Sequence, residues 1–306
     1  MVRSAFFSLL FICLLNPCNS LAQNDPLLAE QTFQKGHGSV ALFLQMIEVH
    51  EFNTGADDVD IGNASTRSAY FQFDYAVSDR WLLSFGLPYI KKKFDGAPTH
   101  DPLALEPPRP DVPFLDDGQY HGYLQDLLFG VHYLWSSQPL LLQPFVNVLI
   151  PSHEYPHFAQ AAVGQNLWKV EMGLELTHYL PFSDWYYRLA GSYTVVEQTI
   201  GVNVNHFRLN GKLGYFLSPR MSANVFFQAK DGRGDKGTKF PPSNRTGEPW
   251  YQHDRTSKHS YLNLGMGTDW LLGEHYELSA SVLTTVWGDT VHLVDWAASL
   301  GITRFF

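Results

Sequence analysis

Charged side chains recur in this chain at alternate positions of otherwise apolar segments, and that spacing limits the chemistry they can do. Asp74 lies between Phe73 and Tyr75, Asp126 precedes Leu127, and Glu171 and Glu175 alternate with Met172 and Leu174. Arg188 stands between Tyr187 and Leu189, His206 and Arg208 flank Phe207, Lys212 precedes Leu213, and Lys230 follows Ala229. Lys169, Asp269 and Glu277 keep the same rhythm. Such groups on one side of a segment attract, repel and orient charged solutes. The basic members gather between Arg188 and Lys230, with acidic members on either side. A wall carrying Arg208 and Lys212 is therefore expected to favour anionic or polarised aromatic solutes. The competing expectation is that opposite charges neutralise one another inside a filled interior.

Covalent chemistry would need a nucleophile within reach of an oriented base. His132, His178 and His206 have no serine at a spacing that specifies such a site, and no Gly-x-Ser-x-Gly, His-Glu-x-x-His or phosphate-binding glycine loop occurs. His153, His157 and the other loop histidines are read as surface side chains rather than metal ligands. Asp231–Asp235 (DGRGD) is too short and too basic for a calcium loop. The chain is expected to be no enzyme, with no catalytic residue, metal site or cofactor.

The elements that must position the charges are strands. Ala69-Phe71-Phe73-Tyr75-Val77, Trp81-Leu83-Phe85-Leu87 and Trp168-Val170-Met172-Leu174-Leu176 alternate with small or polar residues. A helix would scatter these apolar side chains around its surface, whereas a strand collects them on one face. Twelve such segments can be marked. Short turns at 78–80, 136–139, 181–184, 217–220 and 271–275 alternate with connections at 51–65, 91–119, 151–166, 197–202, 231–259 and 288–290, the last one brief. That is the pattern of an up-and-down transmembrane barrel with short periplasmic turns and longer outer loops. Trp81, Trp135, Trp185 and Trp270 lie beside short turns while Trp168 and Trp287 lie near the opposite strand ends, as two interfacial aromatic girdles require. Trp296-Ala298-Leu300-Ile302 alternates towards Phe306, and the same register aims Arg304 at lipid.

The amino-terminal residues point to export. Met1-Val2-Arg3, the apolar run Ala5–Leu15, the breaker Asn16-Pro17 and the small residues before Gln23 form a secretory leader, too short to span a bilayer. The expected organisation is a cleaved signal peptide at 1–22, a short periplasmic tail at 23–37 and an outer-membrane β-barrel at 38–306. Both cysteines, Cys13 and Cys18, fall in the leader, so the mature chain has no disulfide. The net charge of −9 becomes −10 once Arg3 is removed, which argues against nucleic acid as a partner. Aromatic content of 15 % with only 17 % charged residues excludes intrinsic disorder.

The segment from Tyr70 through Trp81 to Leu87-Pro88-Tyr89 resembles a hairpin of the MetA-pathway-of-phenol-degradation family of bacterial outer-membrane barrels. Gln125-Asp126-Leu127-Leu128-Phe129-Gly130 is similar to that family's Gly-Asp-Leu strand, with Gln125 replacing the usual Gly, and Pro151 matches the proline of its Leu-Pro-Thr-Gly segment. The resemblance covers residues 66–155 and implies a transporter or channel for small aromatic or hydrophobic compounds in the outer membrane of a Gram-negative bacterium. Expected partners are outer-membrane lipid and a small-molecule solute. The alternatives are a structural or receptor barrel that uses its long loops and, further off, a lipid hydrolase. Loops 91–119 and 231–259 are expected to run over the surface, with inward folding as the other possibility.

Overall fold

A computed structural model describes residues 33–233 and 244–306. The leader lies outside these residues, as does most of the tail. The described chain forms strands β1 (Gly38–Asn53), β2 (Asp58–Ser78), β3 (Trp81–Asp95), β4 (His121–Leu124), β5 (Asp126–Tyr133), β6 (Leu141–Pro151) and β7 (Lys169–Tyr179). They continue as β8 (Trp185–Val196), β9 (His206–Ser218), β10 (Met221–Gly232), β11 (Ser260–Leu272), β12 (Tyr276–Asp289) and β13 (Val291–Phe305). β4 and β5 both pair with β3 and are separated only by Gln125, so together they form one stave of the wall.

The result is a closed antiparallel barrel of twelve staves. β1 pairs with β2 on one side and with β13 on the other, and the remaining strands pair with their sequence neighbours. Closure leaves no edge, the condition for strands to cross hydrocarbon, where an unpaired backbone group costs several kcal/mol. Phe306 completes the seam: its amide donates to the Gly38 carbonyl, and the Gly38 amide donates to the Phe306 carbonyl. No helix among the described residues is long and apolar enough to cross a membrane.

The period-two pattern sorts side chains as the sequence predicts. Leu42, Leu44 and Met46 of β1, Phe71 and Tyr75 of β2, and Met172 and Leu174 of β7 face outward and are exposed. Their neighbours turn inward and are buried, including Gln72, Asp74, Glu175 and Arg188. Seven of the eight tryptophans lie exposed on the outside; Trp250 is buried within the barrel. Arg304 follows Ile302 on the outer register and is exposed. In the lumen, aromatic rings lie against glycines. A Cβ on Gly86 would overlap the Tyr70 hydroxyl, and one on Gly214 would overlap the Tyr186 ring, so glycine at these positions lets the rings pack flat against the wall.

The structure corrects the expected connections. Residues 51–65 are no long loop: β1 runs to Asn53 and β2 starts at Asp58, leaving a four-residue turn. At 21 residues, β2 is about twice the ~9–11 that a tilted strand needs to cross a bilayer. The barrel wall therefore stands well above the hydrocarbon on this side. β3 likewise continues through Lys91-Lys92-Lys93 to Asp95.

Candidate functional site

Among the described residues, four ion pairs join neighbouring or next-neighbouring strands on the lumenal face. Lys169 Nζ lies 2.8 Å from Asp126 Oδ2, and Arg188 Nη2 lies 2.5 Å from Glu175 Oε1. Looser pairs follow, with Arg208 Nη1 3.6 Å from Glu171 Oε1 and Lys212 Nζ 3.7 Å from Asp269 Oδ2. Glu171 also accepts from Ser192 Oγ at 2.7 Å and Asn147 Nδ2 at 3.1 Å. Among the described residues Asp74 has no cationic partner at hydrogen-bond distance; it accepts from Ser84 at 2.5 Å, Gln72 at 2.6 Å and Ser39 at 3.3 Å. The inward rhythm of the sequence thus finds the members of this band, and the folded barrel pairs them across adjacent or near-adjacent strands.

Above the band the lumen is filled by loops. Ala159, Ala161 and Ala162 of the 152–168 connection and Leu115 of the 96–120 connection pack against Ile47, Phe94, Tyr261 and Leu293 on the inner wall. Phe158, Leu105 and Trp250 form a second apolar cluster, so three connections meet inside the barrel. The surface-loop expectation for 91–119 and for the described part of 231–259 is therefore corrected. The physical reason lies in the small and aromatic residues of these loops, which the elongated wall surrounds with buried apolar surface.

Polar contacts fasten the plug. Asp116 accepts from the amides of Ala161 (2.8 Å) and Gln160 (3.1 Å), and Gln165 Nε2 donates to the Asp254 carbonyl at 2.8 Å. Arg255 Nη2 donates to the Asn166 carbonyl at 2.9 Å, and the Arg109 guanidinium lies 3.9 Å from the centroid of the Tyr251 ring. The Tyr155 hydroxyl donates to Asp126, which ties the plug to the strand-borne band below it. Burial, reinforced by Asp126, raises the Tyr155 phenol and keeps it a donor. Burial and then Arg255 push His157 down to about 4.

Between plug and wall a chamber of about 60 Å³ remains. Its lining includes Lys92, Lys169, Arg208 and Lys230 and, among the described residues, one carboxylate, that of Asp254, with His157, His206, His259 and His292 around them. The structure thus brings together His206, Arg208 and Lys230 of the expected lumenal set. Glu175 and Arg188 pair elsewhere in the lumen, and Asp74 lies in its own polar cluster, towards the short-turn end of β2. Lys212 pairs with Asp269 outside the chamber lining, so the expected Arg208/Lys212 wall is divided. Lys92 lies in the 91–119 stretch that the sequence reads as a connection; the alternation Ile90-Lys92-Phe94, all buried, carries the strand signal there. Asp254, His259 and His292 had no such signal, since two belong to a folded-in loop and its junction and the third to the start of β13, where Val291, His292, Leu293 and Val294 are all buried.

The plug also gathers a histidine pair read from sequence as scattered. His100 Nε2 lies 3.3 Å from His253 Nε2, and His253 Nε2 lies 3.2 Å from Asp254 Oδ1. The Trp250 ring stacks parallel to both imidazoles, 4.1 Å from His253 and 5.2 Å from His100 between centroids.

No family model matches the sequence, and no curated protein matches it. Solved structures do match the fold. The COG4313 outer membrane channel from Pseudomonas putida F1 superposes with a TM-score of 0.67 at 13 % identity, over 89 % of this chain and 96 % of that one. The β domain of the Bordetella autotransporter BrkA gives a TM-score of 0.52 at 12 % identity, over 89 % of this chain and all of that one. The chain is thus similar in architecture to barrels of the bacterial outer membrane, with twelve staves and an interior occupied by its own loops.

Proposed function

We propose that this chain is an outer-membrane channel of a Gram-negative bacterium that admits small anionic solutes, aromatic acids among them, past a plug formed by its own loops. The observation that carries the reading is the chamber, which Lys92, Lys169, Arg208 and Lys230 line beside the Asp254 carboxylate, with Lys169 and Arg208 paired to Asp126 and Glu171. Low-dielectric walls strengthen such a field, and rings of basic side chains favour anions. A chamber of this size holds a few waters, whereas a cavity that takes benzene is about 150 Å³. Passage of a ring therefore needs the plug to shift. The architecture shared with a protein described as an outer membrane channel supports the transport role. The likeness of the Tyr70–Tyr89 hairpin to the phenol-degradation barrels favours aromatic solutes.

Asp74, Asp126, Glu171, Glu175, Arg188, His206, Arg208, Lys212 and Lys230 are the proposed lumenal residues of this pathway. Residues 1–22 act as the export signal, 23–37 as a periplasmic tail and 38–306 as the barrel. The test is reversal potential in a planar bilayer under a salt gradient, with benzoate added as a blocker. Wild-type protein should prefer anions, and Arg208→Gln with Lys230→Gln should abolish the preference and the block. A folded barrel that neither conducts nor lets solutes into liposomes would overturn the proposal.

A further inference from the structure

We propose that His100, His253 and Asp254 form a binding site for a divalent transition cation of the zinc type, which clips two plug loops together. His100 comes from the 96–120 connection, and His253 and Asp254 from the 244–259 segment, so His100 and His253 meet from 153 positions apart. Their donor atoms all lie within 4.8 Å of one another. Tetrahedral coordination at ~2.0–2.1 Å requires neighbouring ligand atoms about 3.3 Å apart. Two of the three separations here are 3.3 and 3.2 Å, and the third, between His100 and Asp254, lies within 4.8 Å.

Orientation supports the same assignment. His253 Nδ1 donates to the Trp250 carbonyl at 2.5 Å, and His100 Nδ1 lies 3.2 Å from Asp116 Oδ2. Metal-bound histidines characteristically give their second N–H to a carbonyl or carboxylate, which fixes the tautomer and turns the other nitrogen's lone pair to the metal. Both imidazoles are almost completely buried, and the stacked Trp250 ring holds them in place. Asp254 also lines the chamber, so the site borders it. Two imidazoles with one carboxylate suit zinc and its neighbours rather than calcium or magnesium, which take all-oxygen sets.

The test uses untagged, folded protein in detergent, stripped with a chelator and titrated with Zn²⁺ alone. Calorimetry and elemental analysis after desalting should find one zinc per chain. Asp254→Asn should weaken binding about tenfold or more, His253→Ala should abolish it, and the exposed turn variant His275→Ala should bind as wild type does. Heat-dependent gel mobility checks that each variant is folded. Cobalt added to wild-type protein gives a readout that needs no variant: an intense visible spectrum supports the tetrahedral site. Wild-type protein that takes up neither ion, or a folded His253→Ala that binds equally well, would overturn the proposal and leave the three groups sharing a proton. Both readouts are independent of conductance, so the site and the channel role stand or fall separately.

Discussion

The lumen has two storeys built on different logic. The lower one is a band of charges carried by strands, in which Arg188 meets Glu175 and Lys212 meets Asp269. The upper one is a plug carried by loops, in which Phe158, Trp250 and Leu105 meet from three connections. A residue in the band owes its place to the pleat: side chains two apart share a face whatever lies opposite. A residue in the plug owes its place to contacts distant in sequence, none dictated by local backbone geometry. The band should therefore behave as part of the barrel, and the plug as a unit that opens while the barrel stays closed. Local opening below the global unfolding free energy is common in such segments.

Asp126 is where the storeys meet, and its removal should have the largest effect. Asp126→Ala leaves buried Lys169 without its carboxylate and the Tyr155 hydroxyl without its acceptor. Breaking one partner of a buried pair costs about 3–5 kcal/mol. The urea midpoint should fall and conductance should rise together; a change in only one would mean that band and plug are not coupled there.

Phe158→Ala should separate the storeys. The side chain is almost wholly buried against Leu105 and Trp250, and truncating such a phenylalanine costs about 3–5 kcal/mol. Only the plug should feel it. Hydrogen exchange should rise in 96–120, 152–168 and 244–259, while amides of β7 to β10 keep their protection.

Acid should act on the plug in the same way but less strongly. In the closed plug His157 titrates near 4, below the ordinary value of 6.5, so the opened loop takes up a proton that the closed one refuses. Above 6.5 there is no difference; as pH falls from 6.5 to 4 the closed state progressively loses up to about 3 kcal/mol, and below 4 the loss levels off. Channel openings should become more frequent across that window, and His157→Gln should weaken the response. An unchanged profile in His157→Gln would place the pH sensitivity elsewhere.

The smallest effect belongs to the outer face. Arg304→Leu exchanges an exposed outward cation for an apolar group near the membrane interface, where arginine costs about 0–1 kcal/mol. Stability in lipid should change by no more than that, with neither storey of the lumen affected in conductance.

Most of the wall was legible because period-two alternation has one physical solution in a chain that must pair every backbone group. Trp81, Trp185 and Trp270 could be placed beside short turns on the outside, and Arg188 and Glu175 on the inside, without knowing what each faced. Legibility failed where strands outran the membrane. In β2 the alternation Asp58-Val59-Asp60-Ile61 is cut off from the apolar segment that begins at Ala69 by the small and polar residues 62–68, although Asp58 and Asp60 pair with Asn53 and Glu51 of β1. It failed again in the loops, where His100 and His253 looked unrelated.

The order of apolar and polar residues along each segment determined by itself that this chain makes an outward-oily barrel with charges in its bore, because a strand's two faces are assigned by alternation alone. Only the tertiary structure decided that the bore is closed by loops, that Lys92 joins Lys169, Arg208 and Lys230 around one chamber, and that His100, His253 and Asp254 converge. Those meetings depend on where a closed ring of twelve strands places the ends of its connections, which is a property of the whole ring and of no single segment.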